Sequence, residues 1–95
     1  MMRAMDAAKL IEDLGGPAVV ARMTGCSAPS VIEWREKGLV PELRCPAIEA
    51  GTNGRYPCEL LRPDLSWGRI PSKQWPHHPG GEPVSRIALR ALKAA

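Results

Sequence analysis

No stretch of this 95-residue chain approaches the roughly 20 consecutive apolar residues that a membrane-spanning helix needs. With 24% of its residues charged, a soluble protein without a membrane partner is expected. The opening MMRAMDAAKL lacks both a continuous apolar core and a small-residue cleavage site, so no secretory leader is expected, and the cytoplasm is the expected compartment. Cysteine is sparse: Cys26, Cys45 and Cys58 are odd in number, widely spaced and form no C-x-x-C pair, which argues against a disulfide framework or a zinc knuckle. Reduced, packed thiols are expected. His77 and His78 stand side by side in a Pro/Gly-rich stretch, where solvation is the better reading, and no metal or other cofactor is expected. The acidic pairs Glu12-Asp13 and Glu33/Glu36 have no companion cluster for acid–base work, and nothing marks a thiol as activated, so the chain does not read as an enzyme. Internal repeats are also missing. Acid is nearly absent late in the chain, where Glu82 alone stands against Arg69, Lys73, Arg86, Arg90 and Lys93. Residues 1–68 instead carry eight Lys/Arg against nine Asp/Glu.

Helical spacing is what the sequence does offer. Ala7, Leu10, Ile11 and Leu14 share one face, with Asp6 placed to cap the start and Gly15-Gly16 to close the end. Pro17 opens a second helix whose inward stripe is Val20, Ala21 and Thr24, and which stops at Gly25. Ser27 caps a third by accepting from the Ser30 amide; Val31 and Trp34 point inward and Gly38 ends it. A fourth helix is expected over 41–50, kinked by Pro46 inside it. A short fifth follows Pro57, contains Leu60 and Leu61, and ends at Pro63, with Leu65 and Trp67 folding back on the core. Residues 68–83, with four prolines, are expected to hold little regular structure. Helical spacing returns from Val84 to Ala95, too short to stand alone.

Two short helices joined by a tight glycine turn, the second opening on a serine cap, make a helix-turn-helix. Ala21 is the small residue at the crossing, Gly25 the turn, and Val31 and Trp34 the anchors. Burying those anchors turns Ala28, Pro29, Ile32, Glu33 and Glu36 outward, where a recognition helix meets a major groove. Base contacts are expected from Pro29, Ser30, Ile32 and Glu33, with Ala28 on the same face and Ser27 and Lys37 at phosphates. Ile32 suits a thymine methyl or a dimer contact. Lys37 suits a phosphate or the helix dipole, and Ser30, like Ser27, a phosphate as well. The basic tail either tracks phosphates or solubilises, and Trp75 is a candidate anchor for a partner.

Residues 9–67 resemble the Cro-like helix-turn-helix proteins of the YdaS group, encoded largely by bacterial prophages and phages. The pieces that carry the resemblance are GGPAVVAR, VIEWREKG, RCPAIEAGTNG and CELLRPDLSW. It implies an all-α, five-helix domain of lambda-repressor type over 1–67, followed by a basic, largely irregular Pro/Gly-rich tail over 68–95. It also implies a DNA-binding transcriptional regulator, some relatives being described as antitoxins or Cro-type repressors. Thr24 stands where a leucine is usual, Cys26 is the apolar turn residue, and Glu33 stands where a glutamine is common. A domain this small and weakly charged is expected to bind double-stranded DNA as a homodimer. The runner-up is a protein-interaction module, an antitoxin or phage-encoded adaptor, docking another protein through the same helix or the tail.

Overall fold

The computed structural model describes residues 6–85. Its first helix, α1 (Ala7–Asp13), starts where the Asp6 carboxylate accepts from the Ala8 amide at 3.0 Å, and buries Ala7, Leu10 and Ile11. Pro17 opens α2 (Pro17–Thr24) in the first turn, where its missing N–H leaves no bond unmade. Gly25 ends α2 in the left-handed region at φ 73°, a conformation costly to any residue with a Cβ. That conformation turns the chain at once into α3 (Ala28–Lys37), so Gly25 makes the tight turn of a helix-turn-helix. Thr24 is buried and donates its hydroxyl to the Val20 carbonyl at 2.8 Å, which lets a polar residue occupy an apolar position.

The Ser27 hydroxyl accepts from the Ser30 amide at 3.3 Å, as its cap position requires. Ser27→Ala is therefore expected to lower stability by about 1 kcal/mol. Urea unfolding gives the size of the loss, and faster amide exchange at Ser30 places it at the cap.

Pro46 does not kink a long fourth helix. A short 3-10 turn over Glu42–Arg44 comes first, and α4 (Cys45–Gly51) starts afresh, with Pro46 in its opening turn. There a proline lacks only a donor that has no helical partner anyway, so the residue expected to strain a helix begins one. Gly51 ends α4 against Met23 of α2, whose Cγ would lie 2.3 Å from any added Cβ. The single-turn α5 (Cys58–Leu61) buries Cys58 and Leu61 and leaves Leu60 exposed, and a 3-10 turn over Pro63–Leu65 follows. The core gathers Leu10, Ile11, Val20, Val31, Ile48 and Leu61 from all five helices. Trp67 lies half-buried against it and donates its indole N–H to the Arg62 carbonyl at 3.0 Å.

The five-helix, all-α domain is as expected, and the correction falls on 68–83, where little regular structure was expected and a small hairpin is found. Strands β1 (Gly68–Ile70) and β2 (Glu82–Val84) pair antiparallel, with Arg69 opposite Pro83. Val84, expected to open a helix, is a buried strand residue; the rest of that expected helix, 86–95, lies outside the described residues. Three residues per strand, with Gly68 in one and Pro83 in the other, have little propensity to pair on their own. The pairing is held from outside, by what Arg69 touches.

Glu49 of α4 is fully buried, and its carboxylate is completely satisfied. It accepts from the Cys58 amide at 3.0 Å, from Arg69 Nη1 at 2.7 Å and Nη2 at 2.5 Å, and from Trp75 Nε1 at 2.7 Å. Arg69 also binds both carboxylate oxygens of Glu59 and the Gly81 carbonyl. Burial pushes the Glu49 carboxyl up, yet the hydrogen bonds from Arg69, Cys58 and Trp75 outweigh it and hold the group below the usual carboxylate range. Further along, the His77 carbonyl sits over Gly54, whose φ is 82° and where an added Cβ would lie 2.0 Å from that oxygen. Trp75, read from sequence as an anchor for a partner, is thus an anchor for the chain's own hairpin. Residues 68–85 pack as part of the folded domain on its α4–α5 side.

Candidate nucleic-acid interface

Helix α3 packs on α2 and α1 through Val31 and Trp34, both buried. Its opposite side carries the residues singled out in the sequence. Ser27, Pro29, Glu33 and Lys37 are exposed, while Ala28, Ser30 and Ile32 are half-buried. Ile32 is therefore less open than its sequence position suggests, so its contact area for a base methyl is partial. The Ser27 and Ser30 hydroxyls lie 2.9 Å apart at the start of the helix. They form one small polar cluster beside the first-turn amides, a geometry suited to an anionic oxygen.

Glu33 and Lys37 are joined one turn apart, Nζ to Oε1 at 2.6 Å. Hydrogen bonding and the charge of Lys37 hold the Glu33 carboxyl below its ordinary value, and the same contacts raise Lys37. A carboxylate so placed accepts only, while Lys37 must leave it to reach a phosphate. Arg35 points elsewhere, lining an open cleft of about 280 Å³ with Ala8, Ile11, Glu12, Gly16 and Pro17 between α1 and α2.

Sequence reasoning passed over Arg62. Its guanidinium donates to the Val40 carbonyl at 2.9 Å and grips Asp64 through two hydrogen bonds, which fixes the segment that leaves α3. The nearby Asp64 and Pro63 were the only local hint. Hydrogen bonding to Arg62 holds the Asp64 carboxyl below its usual value. In the hairpin, Arg69, Trp75 and His77 direct their side-chain bonds to α4, α5 and the loop at Asn53.

The buried thiols of Cys45 and Cys58 offer no nucleophile. Burial pushes Cys45 up to about 12 and raises Cys58 as well, so both stay protonated. Among the described residues no group of His, Cys, Asp and Glu is arranged to hold a metal, and no helix is long and apolar enough to cross a membrane.

Three comparisons bear on this geometry. A family model described as "Bacterial toxin YdaS" matches residues 7–70, so the hairpin beyond its first strand, residues 71–85, lies outside the match. A candidate transcriptional regulator, YdaS of Escherichia coli (strain K12), is 50% identical over 59 residues, which are 60% of this chain and 59% of that protein. This chain therefore spans about three fifths of its relative's length. The solved Cro protein from a prophage element, Xfaso 1, of Xylella fastidiosa strain Ann-1 matches with a TM-score of 0.55 and 39% identity, covering 63% of this chain and 94% of that one. With a helix-turn-helix of this shape and a family match over most of its folded domain, the chain belongs to the YdaS family.

Proposed function

We propose that the chain is a sequence-specific DNA-binding transcription regulator of Cro type that places α3 in the major groove and has no catalytic role. The observation that carries this reading is the mounting of α3: Val31 and Trp34 fix it from behind, Ser27 caps it, and Pro29 and Glu33 stand exposed in front. The names of its relatives, a candidate regulator and a Cro protein, point the same way. Pro29, Ser30, Ile32 and Glu33 contact bases beside Ala28, while Ser27 and Lys37 hold phosphates. One helix presents few such contacts, so two copies bind a pseudo-palindrome whose half-sites lie about one helical turn, roughly 34 Å, apart.

Selection from a random duplex pool, with the mass of the complex measured in parallel, tests this. A palindromic consensus bound by two copies is the expected result; recovery of no preferred sequence overturns the reading. The alternative is a protein-docking module, an antitoxin or adaptor. It is favoured by Leu43, 84% exposed beside Pro46 and Trp67, an apolar surface of the kind that meets another protein. On that reading, a gel shift on DNA gives no sequence-preferring complex at any salt concentration.

A further inference from the structure

We infer that two copies of this chain join through the turn that follows α3, the Leu43 side chain of each entering a groove on the other; the inference rests on the two-copy reading above and names its surface. Leu43 is 84% exposed, by far the most open large apolar side chain among the described residues. It edges a groove of about 270 Å³ whose walls include Pro46, Trp67, Pro83 and Val84. A projection and a recess therefore lie side by side on one patch. A two-fold axis through such a patch sets each projection against the other copy's recess, the self-complementary arrangement of a closed dimer.

Charge on the patch follows the same pattern. Arg44 comes directly after Leu43 and Glu82 lines the groove; both are exposed, and among the described residues no ion pair engages either. Symmetry that seats Leu43 in the opposite groove brings Arg44 of each copy to Glu82 of the other, so the pair forms twice. Glu42, the other acid of the groove, is half-buried and already within the field of Arg62. The patch is also tied to the reading helix. The Gly38 carbonyl accepts from the Ala7 amide at 3.3 Å and the Val40 carbonyl from Arg62 at 2.9 Å, which pins the path from α3 to Leu43 at two points. No residue of the groove belongs to α3, whose outer side stays free for DNA. Two copies in contact hold equivalent points about one molecular width apart. The dimensions here, 36 × 28 × 25 Å, bracket the roughly 34 Å between half-sites on one face of a duplex.

Sedimentation equilibrium of the full chain, with and without the selected duplex, tests this. A dimer is expected, and Leu43→Asp should weaken it by about 30-fold or more, as loss of a central apolar anchor does. Arg44→Glu and Glu82→Arg alone should each weaken it by about tenfold, because each sets like charges together twice. Mixed in equal amounts, these two variants restore both pairs and should dimerise with one another as well as the parent chain does with itself. Thermal unfolding by circular dichroism, unchanged in all three, separates the effect from misfolding. A chain that stays monomeric at every concentration, on DNA and off it, overturns the inference and leaves the patch to a different protein. So does a dimer indifferent to Leu43→Asp, or a mixture that fails to recover. If the dimer behaves as expected but no duplex sequence is preferred, the interface stands and the DNA-reading function does not; if a monomer still selects a sequence, the reverse holds.

Discussion

Arg69→Met is expected to lower the unfolding free energy by about 3–5 kcal/mol, a large share of what a domain of this size has. Methionine retains much of the side-chain volume and removes the charge. Glu49, fully buried, is then left ionised with only the Cys58 amide and the Trp75 indole as donors. Glu59 is half-exposed and simply turns to water. Urea unfolding followed by Trp fluorescence measures the loss. A double variant, Glu49→Gln/Arg69→Met, should recover part of it, since a neutral amide oxygen still accepts from Cys58 and Trp75 without a charge to bury. Equal losses in the single and double variants would show that the buried charge is not the cause.

Glu33→Gln is expected to move base preference at one position of each half-site from cytosine toward adenine by about tenfold or more, while the unfolding midpoint stays nearly constant. A carboxylate accepts, and so suits the cytosine amino group; a glutamine amide both accepts and donates, and so suits adenine N6 and N7. Because Glu33 is exposed, little packing changes. The substitution also frees Lys37 from its partner, so overall affinity should rise and become more salt-dependent. Sequence selection with both proteins under identical salt gives the comparison. An identical consensus would take Glu33 out of the reading set.

The helix-turn-helix was legible because its determinants are local. Pro17, Gly25, Ser27 and Gly38 each act on the backbone within a turn of themselves, and their positions alone give the bounds of α2 and α3. Thr24 was legible for the same reason, its hydroxyl returning to Val20 four residues back. Pro46 was misread because a proline's effect depends on where a helix begins, and here the helix begins one residue earlier. The hairpin was not legible at all. Arg69 reaches Glu49 across twenty positions and Trp75 reaches it across twenty-six, distances at which no periodicity or turn signal operates. In one sequence a buried glutamate looks like any other acid on a helix. The outer side of α3 lay between these cases: its direction followed from Val31 and Trp34, whereas the Glu33–Lys37 pair and the partial cover of Ile32 depend on rotamers and neighbours.

The mounting of α3 separates what holds the helix from what it displays. Val31 and Trp34 anchor it from one side, and the residues on the other take little part in the core. Substitutions at Pro29 or Glu33 can then accumulate without unsettling the scaffold. On the DNA-binding reading, such a protein can acquire a new operator by small steps, each a folded and testable molecule, while its frame stays unchanged.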